Sequence, residues 1–198
     1  MKVFSLPLLP LLALVALFAQ CAKTSPEVMP QARGNYDQKR VDIVEALSPS
    51  VPGTWQLRRL CIKAQSYNTG QKELGLVRDT VFQDFATLSI QPAPSGRSIP
   101  DPRYASFSGL LHFRTKTYPV RFEVSASPER LINDRGPQGT FLLKYNFPVG
   151  SHRTEPEEQF LEYLGFINEN FSLDVVAGQP TMTWRGLSRG IDRIDLVK

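Results

Sequence analysis

The 198 residues carry 23 Lys and Arg against 19 Asp and Glu, a formal net charge of +4. That excess is mild, and the cations are scattered rather than gathered on one helix, so nothing marks a nucleic-acid-binding surface. Two cysteines and two histidines in the whole chain offer neither a disulfide framework nor metal-ligand spacing, and no metal or cofactor is expected.

The chain opens with MKVFSLPLLPLLALVALFAQC, in which Lys2 precedes an apolar run from Val3 to Ala19 broken by Ser5, Pro7 and Pro10. This is the pattern of a secretory leader, residues 1–20. A spanning helix needs about 20 predominantly apolar residues, and this run is shorter, contains two prolines and meets no stop-transfer segment. The end of the run, Leu17-Phe18-Ala19-Gln20-Cys21, resembles the lipobox of bacterial lipoproteins. The resemblance implies a thioether from Cys21 to diacylglycerol, cleavage just before that residue, and attachment in a bacterial cell envelope, at an outer membrane facing the periplasm or the cell surface. Two or three acyl chains anchor stably where one binds only marginally. The alternative is ordinary cleavage that leaves a soluble exported protein. Loss of Lys2 with the leader lowers the formal charge to +3. If Cys21 is acylated, Cys61 has no partner within the chain and reads as a small buried apolar residue; the rival is a Cys21–Cys61 bridge.

Residues 21–37 are polar and proline-bearing, with no periodicity that buries a face, and read as a lipidated tether. A barrel domain is then expected over 38–198. It begins with a short helix, capped by Asp37, whose Val41, Ile43, Val44 and Leu47 fall near one stripe. After Gly53 about 145 residues remain, enough for one domain burying roughly 68–70 % of its unfolded surface.

Strands follow in sequence. Trp55 to Tyr67 and Phe85 to Gln91 are the first two, with Arg58-Arg59 breaking the alternation as a bulge would. The Pro-rich PAPSGRSIPDPR is a long loop. In ASFSGLLHF, Phe107, Gly109, Leu111 and Phe113 share one face; after a turn at Thr115 to Thr117, Tyr118, Val120, Phe122 and Val124 share the same kind of face in YPVRFEV. GTFLLKYNF repeats the pattern with Phe141, Leu143, Tyr145 and Phe147. EPEEQFLEYL is helical, with Thr154 and Glu157 at capping-box spacing. NFSLDVV and PTMTWRG flank a glycine-containing link, and IDRIDLVK closes the chain. Seven or eight short strands with turns between them indicate an all-β sandwich or barrel.

Gly53 and Trp55, at the first strand of such a domain and after a short helix, resemble the opening of the lipocalin or broader calycin group. With the lipobox, the tether and the closing TMTWRGLSRGIDRIDLVK, the chain looks similar to small bacterial lipocalin-like lipoproteins. The resemblance implies a single antiparallel up-and-down barrel of about eight strands. It also implies that Trp55 closes one end under a basic side chain from near the last strand. Arg185, Arg189 and Arg193 are the candidates, and Arg185 or Arg189 is favoured because Gly186 and Gly190 leave room for close approach. The alternative is that Trp55 is one more core aromatic.

Catalytic material is sparse. His112 lies on the polar face of a strand and His152 in a loop; a nucleophilic Cys61–His112 pair lacks an electropositive setting, and no nucleophile-elbow, phosphate-loop or dinucleotide motif occurs. No enzyme is expected. The inward rings Phe107, Phe113, Phe122, Phe141, Tyr145, Phe147 and Trp184 either line a ligand cavity or fill the core, since an eight-stranded barrel suits both. The expected function is binding of a small apolar or amphiphilic ligand. The alternative is a filled module that docks on another envelope protein.

Overall fold

A computed structural model describes residues 33–150, 152–176 and 178–198. The leader, Cys21 and the tether up to residue 32 lie outside the described residues. Eight strands form one closed antiparallel barrel in chain order: β1 (Gly53–Ile62), β2 (Thr80–Pro92), β3 (Tyr104–Phe113), β4 (Lys116–Ala126), β5 (Gly139–Tyr145), β6 (Glu169–Val175), β7 (Thr181–Gly186) and β8 (Ile191–Val197). Closure comes from β8 pairing back onto β1, with Leu57 opposite Leu196 and Leu60 opposite Ile194. Every strand therefore has a neighbour on both sides.

Alternation sets the two faces. In β3 the buried residues are Phe107, Gly109, Leu111 and Phe113, while Leu110 and His112 face solvent; in β4 they are Tyr118, Val120, Phe122, Val124 and Ala126. The break at Arg58-Arg59 is a register shift between Leu57 and Arg59 against both β2 and β8. Arg58 spans it with an ion pair to Asp84 at 2.9 Å, and Asp84 takes a left-handed φ of 47°.

Both barrel ends are covered. At the end where β1 begins lies helix α1 (Arg33–Leu47), followed by a 3-10 turn over Ser48–Ser50. Val44 packs with Ala126 at the end of β4 and Leu131 of the helix that follows it, and Leu47 and Val51 join the barrel core. At the other end, α2 (Thr69–Glu73) meets α4 (Pro156–Leu164), while α3 (Pro128–Asn133) belongs to the α1 end. Leu161, Leu164, Phe166 and Ile167 are wholly buried beneath α4 and its exit.

Several boundaries differ from the sequence expectations. Asp37 is not an N-cap, because α1 already runs from Arg33; Asp37 instead faces Arg103 at 3.4 Å. The capping box of α4 sits one residue later, with Glu155 as cap and Glu158 reaching back to its N–H, because Pro156 takes the first helical position. The β3–β4 turn is Arg114-Thr115, with Lys116 and Thr117 already paired in β4. Cys61 is a free thiol and only half-buried, since it points outward between Leu60 and Ile62.

Candidate functional site

The seven rings singled out as a cavity lining separate into three groups. Phe107, Phe122, Phe141 and Trp184 form one cluster, with Phe107 stacked on Phe122 at 5.3 Å and Phe141 edge-to-face with Trp184 at 4.8 Å. Phe113 instead stacks on Phe160 of α4 at 5.6 Å and meets Phe85 at 5.0 Å. Tyr145 and Phe147 sit together at 4.9 Å near the α4 end, where Phe147 also stacks on His152. Phe166 bridges the first two groups, lying 5.8 Å from Phe85 and 6.3 Å from Phe171. These rings therefore pack on one another through the barrel interior.

Trp55 is wholly buried, and its indole N–H donates to the Val51 carbonyl at 2.9 Å. The cation over its ring is Lys198, with Nζ 4.6 Å from the centroid. Arg185 and Arg189, expected in that role, lie elsewhere. Arg185 is exposed and opposite Ser172 on β7, while Arg189 packs against Gly165 and donates to the Ile167 carbonyl at 3.5 Å. Gly186 and Gly190 do permit a close approach, but by Ile191 O and Gln71 Nε2 and not by an arginine. Both glycines belong to the β7–β8 turn, at the opposite end of the barrel from Trp55. Gly53 carries a φ of 136° and leaves space for the Lys198 side chain.

A cleft lies on the outer wall. A cavity of about 640 Å³ lies over β3, β4 and β5. Cross-strand register arranges its base in two rows: Ser106, Glu123 and Leu142, then Ser108, Arg121 and Lys144. Phe107 and Phe122 also border it, but both side chains are buried on the inward face of the sheet. Between β4 and β5 the pairing stops after Arg121–Lys144 and resumes at Ser125–Thr140 with register unchanged. The bordering strands are thus unpaired at Phe122 to Val124, beside the cavity.

The loop between β2 and β3 forms the roof through Ala93, Pro94 and Gly96. A chain of charges pins it. Arg97 pairs with Glu123 at 3.2 Å and lies over the Tyr104 ring at 3.7 Å. Arg103 pairs with Asp101 at 2.8 Å and with Asp37 of α1 at 3.4 Å. Hydrogen bonds from Arg103 hold the Asp101 carboxyl down at about 2, and Glu123 raises the Arg97 guanidinium above its ordinary value. Ser106 Oγ donates to the other Glu123 oxygen at 3.1 Å. Glu123 is therefore neutralised by the roof. By contrast, among the described residues the side chains of Arg121 and Lys144 form no ion pair or hydrogen bond, although they stand directly opposite one another.

A second polar cluster occupies the α4 end. Lys116 holds Glu155 at 2.7 Å and Tyr118 donates to the same carboxylate at 3.1 Å; Lys116 keeps that carboxyl below its ordinary value. Burial first, and then Glu155, push the Tyr118 hydroxyl up, and burial does the same at Tyr145. His152 Nε2 meets buried Glu158 at 2.6 Å. His112, exposed, bonds Thr117 at 2.8 Å. It aligns through Thr87 with Gln56, five residues along β1 from Cys61, so the barrel keeps that pair apart. Among the described residues no three His, Cys, Asp or Glu side chains converge as metal ligands.

The inward phase of the alternation gives no sign of the outer cleft. Its signal was present in the outward phase, as Ser-x-Ser, Arg-x-Glu and Leu-x-Lys on three strands that become neighbours. Comparison with protein-family models, curated proteins and solved structures gave no match. The closed eight-stranded antiparallel barrel is consistent with a lipocalin-like fold, and no matching family supports the narrower group of small bacterial lipoproteins.

Proposed function

We propose that this chain is a lipid-anchored envelope protein, not an enzyme, whose barrel binds a small apolar or amphiphilic molecule in the cleft on the β3–β4–β5 wall. The observation that carries the reading is the cleft itself: about 640 Å³, within the roughly 300–1,000 Å³ of small-molecule sites, with apolar Leu142, Ala93 and Pro94 and polar Ser108, Arg121 and Lys144 among its lining. The ring-packed interior favours this outer site over the barrel axis. The anchor and the envelope address rest on Cys21 and its lipobox pattern.

All of the barrel and both apolar clusters lie within the compact unit Gly34–Lys198, so a chain starting at Ala22 contains what the fold needs. The test is the fluorescence gain of N-phenyl-1-naphthylamine on that chain in detergent-free buffer. Dye binding lost in Ser108→Trp with unchanged circular dichroism supports the cleft; binding indifferent to that substitution refutes it. Labelled palmitate incorporation that disappears in Cys21→Ser tests the anchor.

A second reading, a filled module docking on another envelope protein, draws on the same packed rings and on Ile99, 79 % exposed at the roof loop. Cross-linking in cells that depends on residues 92–103 would favour it.

A further inference from the structure

On the reading that the outer cleft binds a ligand, we infer that the ligand is an anionic amphiphile, with an oxyanion head on Arg121 and Lys144 and an apolar tail beneath the roof loop. Three observations lead there. The first is the direct cross-strand opposition of two cations, Arg121 and Lys144. Like charges facing one another across a ladder are destabilising, and among the described residues nothing offsets either side chain.

The second is the charge balance of the cavity wall. Its one carboxylate, Glu123, is already taken by Arg97 at 3.2 Å and by Ser106 at 3.1 Å. Glu123 thus leaves Arg121 and Lys144 as two uncompensated positive charges facing one small volume. An incoming oxyanion would pair with both, and a guanidinium can do so through two parallel N–H donors. Ser108, half-buried beside Arg121, adds a hydroxyl at the same level.

The third is the order of the rows. Leu142 and Glu123 lie one row toward the roof, and Lys144 and Arg121 one row away from it, along the same outward face. Pro94 and Ala93 of the roof loop lie over this part of the wall. Successive outward residues on a strand are roughly 6.5 Å apart. A head on the cations therefore places the next few carbons of a tail against Leu142 and under the roof. A neutral apolar molecule would fill the roofed half and leave the cations unmatched; a bare anion would do the reverse.

Carboxylate and phosphate heads share this chemistry, and the experiment separates them from each other and from a tailless anion. Displacement of the naphthylamine dye from the chain starting at Ala22 is to be measured, below micellar concentrations, with dodecanoate, dodecyl phosphate, dodecyl maltoside, dodecyltrimethylammonium and inorganic phosphate as competitors. Dodecanoate or dodecyl phosphate should displace at least tenfold more tightly than the uncharged or cationic tails. Inorganic phosphate alone should not displace. Adding 0.5 M NaCl should erase most of the preference, as should the double variant Arg121→Gln/Lys144→Gln. Both residues are exposed, so the fold should tolerate it; Arg121→Glu/Lys144→Glu should turn the preference toward the trimethylammonium tail.

Equal displacement by anionic, uncharged and cationic tails, unchanged in the double variant, overturns the anionic head and leaves the cleft reading standing. Displacement by inorganic phosphate as effective as by dodecyl phosphate overturns the tail. Dye binding that ignores Ser108→Trp overturns the cleft and the inference with it.

Discussion

Lys198, following β8, lays its Nζ 4.6 Å from the centroid of the Trp55 ring on β1, joining the two ends of the barrel wall at its closing seam. Trp55 is wholly buried and Lys198 exposed, so the two halves of this contact have unequal weight. Trp55→Ala should cost about 3–5 kcal/mol, as large-to-small changes of a buried aromatic do. Lys198→Ala should cost only about 0.5–1 kcal/mol, the range for a cation–π contact whose cation stays in water. Urea unfolding of both variants checks the ratio, and a Lys198→Ala loss as large as that of Trp55→Ala would show that the seam depends on the cation.

Gly186 ends β7 where the backbone of β8 passes close. A Cβ there would lie 2.3 Å from the Ile191 carbonyl oxygen, a backbone atom that cannot swing aside. Gly186→Ala should therefore destabilise by about 1–3 kcal/mol through overpacking. Gly75→Ala meets no atom, but its φ of 69° strains any side chain, and it should cost less. Thermal unfolding of the two variants gives the comparison.

Glu169 is wholly buried at the start of β6, and its Oε1 accepts from Leu187 N, Ser188 N and Ser188 Oγ at 3.2, 2.9 and 2.7 Å. This carboxylate ties the β7–β8 turn to β6. Glu169→Ala removes all three hydrogen bonds, each with a net contribution of about 0.5–1.5 kcal/mol, so a loss of at least about 2 kcal/mol is expected. Glu169→Gln keeps an acceptor and should recover part of it. Chemical denaturation of the pair distinguishes lost bonding from lost volume.

The roof loop should be insensitive to pH across the neutral and mildly acid range. Arg103 holds the folded-state Asp101 value at about 2, below the value near 3.9 of an unfolded aspartate. A depressed carboxyl contributes stability that is fully present above the unfolded value and lost as pH falls through the folded one. The Asp101–Arg103 contact therefore persists from neutrality down to about pH 4 and is lost toward pH 2. Carboxyl NMR titration should show Asp101 moving back toward 3.9 in Arg103→Ala. Proteolysis within residues 93–103 should rise in that variant at neutral pH.

Strand identity was legible wherever one face is buried and the other wet. Phe107 to Phe113 and Tyr118 to Val124 alternate so cleanly that their burial follows from period two alone. The bulge was legible at Arg58-Arg59 because two consecutive long cations cannot both follow the alternation. Cap positions were less so: Thr154 and Glu155 both carry side-chain acceptors, and only the placement of Pro156 selects between them. The cation on Trp55 was not legible, because choosing among basic residues near the end of the chain requires knowing which end of the barrel each one reaches. Glycine beside Arg185 and Arg189 signals close approach, but not by what.

Local sequence thus determined the strands, their inward faces and hence an all-β domain, since a side chain's face depends only on its place in a period of two. The lipobox-like pattern of Leu17-Phe18-Ala19-Gln20-Cys21 is equally a local property of the sequence. What β1 pairs with, which rings touch and where a cavity remains depend on register between segments far apart in the chain. Arg121 and Lys144 stand 23 positions apart in sequence and become opposed only when β4 and β5 align. The tertiary structure alone decided that the interior rings pack together, and that the uncompensated charge and the open volume lie on the outside of the wall.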